Sequence, residues 1–184
     1  MLLSATVALA QKGADSPEAL LAAMQKAAEN RDIDSLVRMV APSEMPLLAL
    51  QTDIGADMVA DPSGDEHVKT LAKKIEKLRK KYGVVNKPDP HPMVVDSSTT
   101  QAELDAHMRK RAQDLYGNID VTGYVAELTS LILSLPQLAN QPFMPLGKAG
   151  KIQVDGDHAS VKVGDEEVKM LRENGRWYLA RPGS

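Results

Sequence analysis

Four histidines, four tyrosines, one tryptophan and a run of lysines are the residues of this chain whose types and spacing can do chemistry. The histidines, His67, His91, His107 and His158, share no metal-ligand spacing such as i, i+4, so no metal is expected. His107 follows Asp105 on a segment whose apolar side runs through Leu104 and Met108, where a general base would need a substrate within reach. A half-exposed helical histidine explains it as well, because imidazole titrates near pH 6.5 without any function. His91 lies between Pro90 and Pro92 beside Asp89, and two adjacent donors in an extended connector make a poor metal site. With no cysteine, the chain has neither disulfides nor thiolate chemistry.

The lysines lie on the clearest helix. Val68, Leu71, Ile75, Leu78 and Tyr82 alternate in steps of three and four, after a capping box Ser63-Gly64-Asp65-Glu66 and before a stop at Gly83. Lys69, Lys73, Lys74, Lys77, Arg79, Lys80 and Lys81 surround that seam, opposed only by Glu76, a net of +6 over residues 69–81. The whole chain carries -3, so the remainder is acidic at -9, and coating by nucleic acid is not expected. The helix 66–82 is either a solvated face over a buried seam or an adaptor for anionic surfaces.

The other elements follow from caps and periods. Ser16-Pro17-Glu18 opens a helix whose face is Leu20, Met24 and Ala27. Asp32 opens a second with Ile33, Leu36, Val37 and Val40 before Pro42. Ser43 is expected to cap a third, with Leu47, Leu50, Ile54 and Met58 pointing inward. Pro88, Pro90 and Pro92 make residues 84–98 an extended connector. Thr99 or Thr100 then opens a helix through Leu104, Met108, Ala112 and Leu115 to Gly117. Asp120 caps another that presents Tyr124, Leu128, Leu131 and Leu135 before Pro136.

Over the last 34 residues the period changes to two. Asp155-Gly156, Gly164-Asp165 and Asn174-Gly175 divide four strands. Two-residue loops set Val154 opposite Asp157, Val163 opposite Glu166 and Glu173 opposite Arg176. One face then collects Ile152, Val154, Ala159, Val161, Val163, Val168, Met170, Trp177 and Leu179. The other takes Gln153, His158, Ser160, Lys162, Glu167, Lys169, Glu173, Arg176 and a partly exposed Tyr178. The fold class is therefore α+β, with N-terminal and central helices packed on one face of a four-stranded antiparallel meander.

Residues 2–10, LLSATVALA, are small and apolar, and Ala8-Leu9-Ala10 before Gln11 fits a signal-peptidase site although no positive n-region precedes it. The expected organisation is a signal-peptide remnant at 1–10 and one domain over 11–184, exported to the periplasm or beyond, with no membrane insertion after processing.

SPEALLAAMQKAAENRDIDSLVRMVAP near the start and VDGDHASVKVGDEEVKMLRENGRWYLARP at the end together resemble the nuclear transport factor 2-like superfamily. The resemblance implies a cone of helices over a curved sheet, often with a pocket between them, and against that pattern residues 61–136 form a helical insertion. Members of that family include small-molecule isomerases and dehydratases, and its isomerases place Tyr and Asp side chains inside the cone as hydrogen-bond donor and base. Here the opening helix offers Leu20, Met24 and Ala27, and the inward meander face carries no acid. The reading is a non-catalytic binding or accessory module of the cell envelope, without cofactor, whose partner is a small molecule or an envelope protein. The alternatives are a small-molecule isomerase or dehydratase and the anionic-surface adaptor. If a pocket exists, Tyr124, Met170 and Trp177 are expected to line it, although a plain core requires the same residues.

Overall fold

Four oxygen caps start four of the helices where the side-chain chemistry demands. In the computed structural model, which describes residues 13–60, 66–84, 99–136, 138 and 147–181, Ser16 accepts from the Ala19 amide and opens α1 (Pro17–Glu29). Asp32 accepts from Ser35 and opens α2 (Ile33–Arg38). Thr100 and Glu103 form a reciprocal capping box on α5 (Gln101–Tyr116), after α3 (Met45–Val59) and α4 (Glu66–Tyr82). Asp120 accepts from Gly123 and opens α6 (Val121–Leu133). Gly83, at φ +70, ends α4 in a Schellman turn, its bond from the Val84 amide to the Arg79 carbonyl being 2.9 Å. The capping box at 63–66, the connector and the N-terminal export signal fall wholly or largely outside the described residues.

Two helical expectations are corrected. Ser43 does not cap α3: a 3₁₀ turn, Pro42–Glu44, already winds the chain into the helix, so Ser43 lies inside the helical run and its hydroxyl meets Glu173. Ile54 and Met58 do not point inward, being 44% and 79% exposed. Leu47 and Leu50 are buried as expected, and beside them the inward side of α3 carries Met45, Ala49, the half-buried Asp53 and Ala56, where small side chains let α5 and α6 approach closely.

The sheet runs in the order β1 (Gln153–Asp155), β2 (His158–Val163), β3 (Glu166–Glu173), β4 (Arg176–Leu179), antiparallel throughout. Val163 opposes Glu166, Lys162 opposes Glu167, and Glu173 opposes Arg176, as the hairpin arithmetic requires. At the first hairpin Asp155 opposes His158 and Val154 opposes Ala159, not Asp157. Gly156, at φ +58, takes the first loop position, with Asp157 second, matching Gly164-Asp165 in the next loop. The slip moves one residue on each strand, so side-chain parity and the assignment of faces survive.

Ala159, Val161, Val163, Val168, Met170, Trp177 and Leu179 are buried in one core with the helices. Val154, on the short marginal strand β1, is instead 56% exposed. Tyr178 on the opposite face is also buried, which corrects the expected exposure. Gly13 lies against its ring so closely that a Cβ there would stand 2.5 Å from Cζ, and Arg176 donates to the Gly13 carbonyl at 2.7 Å.

The edge of β4 is closed by pieces of the helical half. Ala14 exchanges both backbone bonds with Trp177 at 2.8 Å. Leu179 donates to Met39 at 2.7 Å and accepts from Ala41 at 3.0 Å. Val40 therefore pairs as extended chain and does not continue α2, which ends at Arg38. These pairings fasten the helices to the sheet and leave one side of α2, α3 and α6 facing the end of β4.

Candidate functional site

Three helices deliver three polar side chains to one carboxylate on a fourth. Asp53 of α3 accepts on Oδ1 from Arg79 Nε at 3.0 Å, Arg79 Nη2 at 2.8 Å and Tyr124 Oη at 2.6 Å. Its Oδ2 accepts from Tyr116 Oη at 2.8 Å. Arg79 Nη2 also reaches Asp57 at 2.8 Å. The Tyr116 and Tyr124 rings stack at 5.8 Å, and Tyr82 meets Tyr124 edge-on at 5.6 Å. Tyr82 donates onward to Glu127, which also holds Lys81.

The electrostatics follow from burial and from that carboxylate. Burial first, then the Asp53 charge and hydrogen bonds, push Tyr116 and Tyr124 above the ordinary tyrosine range. Tyr82 is pushed up by burial and then by its bond to Glu127. Burial opposes the charge on Arg79, but its bonds to Asp57 and Asp53 outweigh that and hold it above the ordinary arginine value. The phenols stay protonated and Asp53 is occupied on both oxygens. A general base must reach a substrate proton. Asp53 is aimed at its own helices and lines neither groove described next.

On the opposite side of α3 and α6 lies a partly enclosed groove of about 270 Å³. Leu36 and Val37 of α2, Leu48 and Thr52 of α3, and Val125, Thr129, Ile132 and Leu133 of α6 form its walls, with Val40, Leu179 and Ala180 completing them. Among the described residues no ionisable side chain lines it. Thr52 Oγ1 donates to the Leu48 carbonyl at 2.8 Å, so that hydroxyl is already bonded within its own helix. A wider, more open groove of about 590 Å³ runs along the sheet past Glu44, His158, Glu167 and Lys169. There Glu44 is committed on both oxygens, to Arg109 at 3.0 Å and Arg181 at 3.2 Å.

The residues singled out from sequence do not converge. Tyr124 is fully buried in the polar cluster, Met170 borders the sheet-side groove, and Trp177 is buried in the core with its backbone paired to Ala14. None of the three lines the apolar groove. His67 and His158 are exposed, His107 is half-buried, and His91 lies outside the described residues. Among the described residues no three His, Asp or Glu side chains gather as metal ligands.

Sequence reasoning missed Asp53, Tyr116 and the groove. Asp53 stands four residues after Ala49 on a stripe of small residues, and Tyr116 stands four after Ala112, so both carry a core spacing. The groove was visible as a second apolar stripe on α6, Val125, Thr129 and Ile132, beside the one through Tyr124 and Leu128. No family model, curated protein or solved structure matches the chain, so the geometry of these residues is what bears on its function.

Proposed function

We propose that this chain is a non-catalytic binding module of the cell envelope, and that its ligand is a small apolar molecule held in the groove between α2, α3, α6 and the end of β4. The observation that carries the reading is the contrast between a space of about 270 Å³ with apolar walls and a polar cluster that is already satisfied without a ligand. Apolar cavities of roughly 150 Å³ take up benzene, and pockets for drug-sized ligands begin at roughly 300 Å³. The groove therefore suits a single ring system or a short acyl segment. Its walls give a ligand no charged anchor, so affinity comes from burial of apolar surface, with any polar end left at the mouth. The resemblance to nuclear transport factor 2-like domains points the same way, since these often hold a pocket between helices and sheet. The apolar residues 2–10 support an envelope location.

An isomerase or dehydratase working in this groove would need an ionisable group on its wall, and among the described residues none lines it. Titration of methyl-labelled protein with decanoate, followed by NMR, tests the binding reading. Saturable shifts centred on Val37, Val125 and Ile132 are expected. Absence of saturation, or shifts centred away from the groove, would remove the proposal.

A further inference from the structure

The basic residues of α4 fall into two sets. Near its C-terminus each is neutralised: Arg79 by Asp53 and Asp57 at 2.8 Å, Lys80 by Glu76 at 2.6 Å, and Lys81 by Glu127 at 2.6 Å. Lys69, Lys73 and Lys77 recur at every fourth residue on the side away from Leu71, Ile75 and Leu78, with Lys74 on the flank. All four are exposed, and among the described residues none has an acidic partner. At a rise of about 1.5 Å per residue the three stand roughly 6 Å apart along the helix axis. Like charges at that spacing weaken a helix, so folding does not account for the row. The buried seam accounts for the helix.

We propose that this face of α4 docks the protein onto an anionic lipid surface. The inference is independent of the apolar groove. Between the lysines the outward face carries only Glu66, Thr70 and Glu76, with no aromatic or aliphatic side chain to insert, so the helix would rest on headgroups without entering the hydrocarbon. A polynucleotide fits less well. The face has no arginine fork for paired phosphate oxygens and no ring on which a base can stack. The chain outside residues 69–81 carries -9, which opposes a polyanion able to wrap around it, whereas a flat surface meets one face only. Each lysine held at an anionic leaflet contributes about fivefold to partitioning, so three contribute about 10²-fold.

The test is cosedimentation of the full chain with vesicles of equal parts phosphatidylglycerol and phosphatidylcholine, against vesicles of phosphatidylcholine alone. Wild type is expected to pellet with the anionic vesicles at low ionic strength, to be released by added salt, and to ignore the neutral ones. A Lys69→Gln, Lys73→Gln, Lys77→Gln variant is expected to bind about 10²-fold more weakly with an unchanged thermal melt, which separates lost docking from lost folding. Failure of wild type to bind at low salt, or equal binding by the variant, overturns the proposal. Binding to inorganic polyphosphate that outcompetes the vesicles would assign the face to a soluble polyanion and overturn it as well.

Discussion

Asp53 and Thr52 are adjacent on α3 and face two different interiors. Asp53 enters a space where Arg79, Tyr116 and Tyr124 come to meet it from three other helices. Thr52 borders a space to which the described residues supply only apolar side chains and hydroxyls, and which they leave partly empty. The residues with the most chemistry in them are thus the ones with the least freedom to act. A buried polar group with every bond made orders the elements that carry it, since leaving any member unpaired is costly. An unfilled apolar groove has the opposite property, because its walls lose dispersion contacts that another molecule can restore.

Removing the carboxylate is the most damaging way to probe this difference. Asp53→Ala leaves two phenols without their acceptor and Arg79 with Asp57 as its one remaining carboxylate, a partner 60% exposed at its side chain. Breaking a fully buried ion pair from one side costs about 3–5 kcal/mol; this pair is only half-buried, but two buried phenols lose their acceptor with it, so about 3 kcal/mol is expected. Urea unfolding should show a loss of that size. A loss under 1 kcal/mol would mean that the cluster is not what holds α3, α4, α5 and α6 together.

Tyr116→Phe and Tyr124→Phe remove one bond each to a charged acceptor and keep the ring stack, so each should cost about 1.5–3 kcal/mol. Their sum should not equal the double variant, since both bond the same carboxylate.

The same tyrosines set a pH dependence. The fold raises them above their unfolded value near pH 10, first by burial and then by Asp53. Their stabilising contribution is therefore complete below about pH 10. It declines as pH rises further, because the unfolded chain releases phenolic protons that the folded chain retains. Stability measured by urea at increasing pH should fall beyond pH 10, and the Tyr116→Phe, Tyr124→Phe double variant should fall less steeply. Equal slopes would place the alkaline sensitivity elsewhere.

Legibility in the sequence divides along the same line. The meander is readable because a period of two, three turn dipeptides and the charge pair Lys162 opposite Glu167 all constrain one register. Gly156 misleads only locally, since glycine satisfies either loop position and the neighbouring aspartates do not decide between them. Helix starts are readable because Ser16, Asp32, Thr100 and Asp120 bond amides within three residues. Asp53 is not readable as part of a site. Its partners lie 26, 63 and 71 residues away, and no local period encodes which helices will meet there. Ile54 and Met58 mislead for the same reason, since hydrophobicity places them inward while the packing of α3 through alanines turns them out. Tyr178 is buried by Gly13, a neighbour 165 positions distant that strand alternation alone does not supply.

The smallest expected effect, and the one of opposite sign, comes from the residue next to Asp53. Thr52→Phe gives up a hydroxyl bond within its own helix and adds a ring toward a groove that has room for one. Filling an existing cavity commonly raises stability by about 0.5–2 kcal/mol. The variant should therefore melt slightly higher than wild type while losing the decanoate-induced shifts at Val125 and Ile132. Two neighbouring substitutions would then move stability in opposite directions, with only the stabilising one abolishing ligand uptake in a folded protein. If Thr52→Phe instead destabilises by more than about 1 kcal/mol, the groove is already as full as its walls allow, in the manner of an overpacked core. The contrast between a saturated interior and an open one would then fail at its apolar end.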